Sequence, residues 1–514
     1  MTDPGDDIGR ALSEAGRLFH GAFRLLAGEA DGSVVACRSA LDRAGDPGAT
    51  VLVAGLRSTG KSSLVSSLWG DSDLLPTAVR DCTQTNTLIR APREGEGDRR
   101  LFLHYLTREG GEEFAARGLA FHRLREVIAA TLGPMGPKLD EPAAGGEGTA
   151  GARVRLAVDT VRRLFSERED VHVIHEPATE QLEQLEQFLA HLDSPEYVPG
   201  GCVEKDWTER REYLMGRRRR DGRTLDVGKL LSLRLVEIVR ATDRWGGLAP
   251  AIIDTPWVPA FHNARRADLV LREAERADII VITALPEPFE FEPWVLEAFD
   301  RLPRLRGRTL VVFNQIDTID TSCLFARGGF AETWARNVER LGVEGIGTEN
   351  IFVSCARLPF LEGLRVVGTP APAETAREDR LRAVLGEIRR LLLAGPAGRL
   401  AEKLVAACDP TDCGVEALRA RLAGLMMREV RLDRAREACD AILAVNVLGL
   451  GAGREVSSGD AGSQSGAGGW PKVRARATDL LGRIRTLAPG ASSRQGKGGR
   501  RSPMLGDGRP LFRD

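Results

Sequence analysis

Ala49-Thr50-Val51-Leu52-Val53-Ala54-Gly55-Leu56-Arg57-Ser58-Thr59-Gly60-Lys61-Ser62-Ser63-Leu64-Val65 carries the change of pattern that decides the fold. Its first six residues are uncharged and β-prone, as a central parallel strand covered on both faces requires. Ser63-Leu64-Val65 opens a helix. Between them, Gly55 to Ser62 fits G-x-x-x-x-G-K-S, a loop whose chemistry is readable from its residues. Glycines let the backbone come close to a phosphate, and successive N–H groups and the helix N-terminus bind the anion. Lys61 reaches the terminal phosphates and Ser62 ligates Mg²⁺.

Similar apolar runs follow at Ala251-Ile252-Ile253-Asp254, Asp278 to Thr283, Thr309 to Asn314 and Asn350 to Ser354, with helical patterns between them. The alternation predicts an α/β fold, a doubly wound and mostly parallel sheet. Residues 8–45 carry apolar positions at helical spacing (Ile8, Leu12, Leu18, Phe19, Phe23, Leu26, then a second set through Leu41) and predict two helices ahead of the first strand. The resulting organisation is N-terminal helices over 1–48, packing with C-terminal helices, and a nucleotide domain over 49–428 with a helical insertion at about 107–229. A short helical neck over 429–448 precedes a mostly disordered basic tail over 449–514. Within that tail, residues 471–487 put Val473, Ala477, Leu480, Ile484 and Leu487 on one helical face.

Three of the later strand ends carry a polar group of the kind the loop needs. Asp254-Thr255-Pro256 places a carboxylate where it holds Mg²⁺ through water. Asn314-Gln315-Ile316-Asp317 supplies Asp317 to accept the N1 and N2 protons that guanine has and adenine lacks, while Asn314 ties the base loop to the phosphate loop. Ser354-Cys355-Ala356 offers backbone N–H to the base O6. The threonine-rich run Asp81 to Thr87 offers a hydroxyl to close over the γ-phosphate and complete the Mg²⁺ shell. Thr83 is the choice here, with Thr85 and Thr87 as near alternatives. The nucleotide set is therefore Gly55, Arg57, Ser58, Thr59, Gly60, Lys61, Ser62, Ser63, Asn314, Asp317, Ser354, Cys355 and Ala356. The metal set is Ser62, Thr83 and Asp254.

With these residues in hand, the chain resembles the bacterial dynamin-like GTPases over roughly residues 8–445. The resemblance is carried by Gly55 with Ser58 to Leu64, then Leu75-Pro76-Thr77 and Thr83, the order of the later motifs, the paired helices before the first strand, and Cys413-Gly414-Val415-Glu416-Ala417-Leu418. It implies Mg²⁺-dependent hydrolysis of GTP to GDP and phosphate, with Lys61, Ser58 and Thr83 as catalytic residues. It further implies that Ser58 helps hold a charge-compensating monovalent cation, and that the chain associates with itself or with a partner dynamin-like chain. Two departures matter. Trp257 stands where the family has the glycine of Asp-x-Pro-Gly, which restricts backbone freedom and predicts slow hydrolysis or switching. Gln315 stands where the family has a lysine whose stem packs on the purine, which predicts a weaker hold on the base. These departures motivate the alternative of a nucleotide-binding regulatory scaffold with little hydrolysis, and ATP stays open as a ligand.

Composition bounds the rest. The formal charge is −1, from 72 basic and 73 acidic residues, so no global field directs the chain to nucleic acid, and none is expected as a partner. Eight cysteines without a Cys-x-x-Cys pair predict free thiols in a reducing, cytoplasmic setting. No apolar run approaches the roughly 20 residues that span a bilayer. Residues 451–514 hold twelve basic and five acidic residues, so their helix has two readings: contact with an anionic, peripheral membrane surface, or docking on the protein's own helices. Arg217 to Arg220 reads as a solvated loop or as a contact for lipid or an acidic partner. His172 and His175 lack ligand company and read as structural. Arg57 reads as solvated, or as an internal charge donor to the phosphates.

Overall fold

The computed structural model describes residues 4–26, 32–45, 48–56, 58–75, 85–117, 119–133, 137, 149–215, 232–256, 270–271, 273–316, 329–356, 386, 414–445 and 466–487. Thr83, Arg57, Trp257, Asp317 and Arg217 to Arg220 lie outside the described residues.

Residues 48–426 form one compact unit around a nine-stranded sheet in the order β4-β3-β5-β2-β6-β1-β7-β8-β9. Its strands are β1 Thr50–Gly55, β2 Thr87–Arg90, β3 Arg100–Tyr105, β4 Cys202–Lys205, β5 Leu233–Val239, β6 Ala251–Asp254, β7 Ile279–Ala284, β8 Thr309–Phe313 and β9 Ile351–Val353. This is a mixed α/β architecture with a mostly parallel sheet, compatible with the P-loop class of α/β folds. β1 lies between β6 and β7, parallel to both, and β8 and β9 continue in parallel. Antiparallel pairing enters with β2 on β6 and again where β3 meets β5 and β4.

The apolar runs explain the central strands. Val51, Leu52, Val53, Ile280, Val281, Val311 and Val312 are fully buried, so both faces of β1, β7 and β8 are covered, as uninterrupted β-branched sequence demands. Ile280, Ile282, Val311 and Phe313 share one apolar core with Val295, Ala298, Phe299 and Trp334 from the helices Pro293–Arg301 and Phe330–Val343. Strands β2 and β5 are hidden from a search for apolar runs because Arg90 and Glu237 interrupt them. Their charges are matched across the sheet instead: Glu237 on β5 accepts from Arg90 on β2 at 2.6 Å and lies 2.5 Å from Nε2 of His104 on β3. The insertion contains helices Arg108–Ala116, Leu119–Leu132, Ala150–Glu167, Glu169–Ile174 and Thr179–Leu192, as the periodicity requires. It is not purely helical, because β4 returns to pair with β3. The alternation Cys202-Val203-Glu204-Lys205 is too short to stand out against its surroundings.

Residues 1–47 and 427–514 form the second unit. Its helices are α1 Pro4–Leu25, α2 Gly32–Gly45, and the segments Arg431–Ala444 and Gly466–Leu487. Leu18, Phe19, Leu26, Val34 and Leu41 from the first pair meet Leu432, Ile442, Leu480 and Ile484 from the second in one core. Segment 431–444 is thus a full member of a bundle rather than a neck. Ala477, Leu480 and Ile484, the face read above as amphipathic, are buried in that core, which favours docking on the protein's own helices over an exposed membrane face. Arg483 adds a contact to Glu14. Among the described residues no helix is long and apolar enough to cross a membrane. Cys37 and Cys439 are buried in the bundle, and burial pushes their thiols up to about 11 and about 12, outside the range of reactive cysteine. Cys355 is likewise buried, while Cys202 is exposed on β4.

Candidate functional site

The parallel register delivers the site. Gly55 pairs with Thr283, Ala284 with Phe313, and Phe313 with Val353, so the carboxyl ends of β1, β7, β8 and β9 fall in one row. Asp254 ends β6 opposite Val53 on the other side of β1. Among the described residues, Gly55, Asp254, Asn314 and Ser354 lie at this edge, where open parallel sheets bind ligands.

The glycine-rich loop leads from β1 into the helix α3, Lys61–Trp69. Two of its glycines are required by contact. A Cβ on Gly55 would lie 2.2 Å from the carbonyl oxygen of Thr283, and one on Gly60 would lie 2.4 Å from Nδ2 of Asn314. Gly60 also caps α3 in the left-handed region at φ 82°, which L side chains adopt at a cost. Ser58 is left-handed too, at φ 58°. Lys61 is 8% exposed, and its Nζ donates to Gly55 O and Leu56 O at 2.9 Å each, which holds the ammonium over the loop. Thr59 is buried, donates to Leu56 O at 2.9 Å, and its hydroxyl lies 2.7 Å from that of Thr283.

Ser62, at the start of α3, donates to Oδ2 of Asp254 at 2.7 Å. A hydroxyl and a fully buried carboxylate thus converge beside the loop. Two hard oxygen donors suit Mg²⁺, which binds few protein oxygens and keeps several waters. Among the described residues no cluster of three or more His, Cys, Asp or Glu side chains forms a dedicated metal cage. Of the alternatives to Thr83, Thr87 lies inside β2 opposite Asp254 and donates to Thr85 O at 3.2 Å, and both threonines are buried.

Asn314 follows β8 and is 2% exposed. Its Nδ2 donates to Thr59 O at 3.0 Å and its Oδ1 accepts from Ala356 N at 3.1 Å. One amide therefore joins the glycine-rich loop to the segment Ser354-Cys355-Ala356, all three of which are buried. Gln315, left-handed at φ 62°, donates from Nε2 to Ser58 O at 2.5 Å. The substitution that sequence reasoning treats as a loss thus acts as a second tie between the same two loops. Ser63 is half-buried on α3.

No protein-family model matches the chain, and no curated protein sequence matches it. Two solved structures, both from an oligomerised bacterial dynamin pair described as a mechanism for long-range sensing and tethering of membranes, align over 86% of this chain at 12% identity and a TM-score of 0.33. This chain spans 60% of the first and 67% of the second.

Three supporting residues escape sequence reasoning because they are distant in the chain. Thr283 braces Gly55 and Thr59 from β7. Ser67, at the far end of α3, donates to Ala356 O at 2.6 Å. Arg419, on the helix Val415–Leu425, is 7% exposed and donates to Ser67 O at 3.1 Å and Leu68 O at 3.3 Å. It pairs with Glu416 and lies 5.9 Å from the Trp245 ring centre. A guanidinium on the last carbonyls of α3 satisfies them and opposes the negative end of the helix dipole. Arg419→Ala is expected to cost about 2–4 kcal/mol in urea unfolding, because buried carbonyls lose charge-assisted partners. A change below about 0.5 kcal/mol, the range of ordinary surface substitutions, would show that the cap is idle.

Proposed function

We propose that this chain is a GTPase that binds GTP with Mg²⁺ and hydrolyses it to GDP and phosphate, on a doubly wound P-loop fold. One observation carries the reading: Lys61, the Ser62–Asp254 pair and Asn314 meet around the one glycine-rich loop at the carboxyl edge of the sheet. The main-chain N–H groups of residues 58–62 and the Lys61 ammonium bind the β- and γ-phosphates. Ser62, Asp254 and Thr83 would hold Mg²⁺, whose chemistry is to neutralise charge on those phosphates. Water is the nucleophile, and catalysis is electrostatic positioning with no covalent intermediate. Asp317 recognises guanine, whereas the main-chain N–H groups of Ser354 and Ala356, expected at the base O6, donate to Phe313 O at 2.8 Å and Asn314 Oδ1 at 3.1 Å. The resemblance of the glycine-rich loop and its neighbouring motifs to bacterial dynamin-like GTPases supports coupling of turnover to self-association or to a partner dynamin-like chain. It also supports a peripheral role at an anionic membrane surface.

A second reading is favoured by Gln315, whose amide ties down Ser58 O. With the loop pinned and Trp257 in place of a swinging glycine, the chain acts as a nucleotide-stabilised scaffold. Phosphate release by the purified chain, with and without anionic liposomes, separates the two. Turnover that rises with liposomes is the expected result. Tight GTP binding without turnover transfers the conclusion to the scaffold, and displacement of a fluorescent GTP analogue by ATP as well as by GTP would remove the guanine assignment.

A further inference from the structure

Beyond the residues named so far, a small cleft opens beside the start of the glycine-rich loop. Gly55 and Leu56 form one wall, Ile282 to Leu285 at the end of β7 form its floor, and Glu287 to Glu292 with Val295 form the other wall. That second wall is built to stay in place. Asn337, on the helix Phe330–Val343, accepts from Phe289 N at 3.0 Å and donates to Glu287 O at 2.8 Å. Arg340 on the same helix pairs with Glu290 at 3.0 Å, and Phe289 is buried between Phe291 and Phe313.

Glu292 closes this wall just before the helix Pro293–Arg301. Its side chain makes no cap bond to that helix. Instead, Trp294 Nε1 donates to its Oε2 at 3.1 Å, which fixes the carboxylate in the cleft. Across the cleft are Gly55 and Leu56, whose carbonyls hold the Lys61 ammonium at 2.9 Å each.

We infer that Glu292 is a positioning residue of the nucleotide site, a fixed carboxylate that opposes Lys61 and weakens its hold on polyphosphate while the carboxylate is ionised. The inference rests on the nucleotide-binding reading given above. The physical reason is charge balance. In a partly desolvated cleft an anion near the ammonium competes with the phosphates for it and repels them directly. Burial raises the pKa of Glu292 above the usual carboxylate range, and the Trp294 bond and the charge of Lys61 pull it back only in part.

The sign follows. The ionised form dominates at higher pH and weakens binding, while protonation as pH falls removes the opposition and tightens binding. The other charged groups along the cleft are Lys61 on α3, Glu287 and Glu290 on the same wall, and Arg340 against Glu290. Glu297 and Arg301, on the helix that Glu292 precedes, pair with each other at 2.6 Å.

The test is GTP affinity by calorimetry across pH 5.5–8.5 for the wild-type chain, Glu292→Gln and Glu292→Asp, with thermal unfolding of each. Wild type is expected to gain GTP affinity relative to Glu292→Gln as pH falls. Glu292→Gln is expected to bind about tenfold more tightly at the upper end and to lose that pH dependence, a factor equal to one unit of pKa coupling. Glu292→Asp is expected to restore the slope, which a purely structural role would not do. An unchanged affinity and pH profile in Glu292→Gln, with unfolding also unchanged, overturns the inference and leaves GTP binding standing. Absence of GTP binding by the wild-type chain at every pH overturns both.

Discussion

Replacing Lys61 by alanine is expected to abolish measurable GTP binding. In the folded chain the ammonium is held by two carbonyls of its own loop, at 2.9 Å each, so its position is set before any ligand arrives. Preorganisation of this kind leaves little ordering cost at binding. Each charge-assisted bond to a phosphate oxygen contributes about 1.5–3 kcal/mol, so two such bonds account for about 4 kcal/mol, a loss on the order of 1,000-fold. Lys61→Arg keeps the charge but replaces a compact ammonium by a planar fork, and it too is expected to bind weakly. Titration calorimetry with GTP and Mg²⁺ is the direct measurement. Retention of wild-type affinity by the alanine variant, in a sample whose unfolding is unchanged, is incompatible with phosphate binding by this loop.

Gly60→Ala is expected to be nearly as damaging, for a reason that lies in geometry rather than charge. The new methyl would meet Nδ2 of Asn314 at 2.4 Å, and it would do so at φ 82°. Left-handed strain costs about 1–2 kcal/mol. Displacing Asn314 also removes its bond to Thr59 O, about 1 kcal/mol more. Together these predict a loss of GTP affinity on the order of 100-fold. Gly95→Ala is the matched control, since Gly95 has φ 77° with open space around its α-carbon. That variant bears the same backbone strain and is expected to lose some stability while binding GTP normally. Equal affinities for the two variants would mean that the contact with Asn314 does not matter.

Both predictions concern residues legible from spacing alone. The order of apolar runs and the G-x-x-x-x-G-K-S pattern are local facts of the chain, because strand propensity, loop curvature and helix start act over a few neighbouring residues. Gly55, Lys61, Ser62, Asp254 and Asn314 were readable for the same reason, each lying at a fixed offset from a strand. The insertion's helices and the paired helices α1 and α2 were readable from their period. Strands β2 and β5 were not, since Arg90 and Glu237 look like surface residues until their partners on adjacent strands are known.

What only the tertiary structure decided is which distant groups meet. Gln315 reads as a missing lysine in the sequence, yet the left-handed turn after β8 aims its amide at Ser58 O. Arg419 reads as one more arginine on a helix, and only the packing of that helix reveals that it caps α3. Residues 473–487 have an amphipathic face that serves a membrane or a protein equally well, because periodicity records that a face is apolar and not what covers it. The long-range register of the sheet, and the volume left between packed elements, select among such partners. No window of neighbouring residues contains that information.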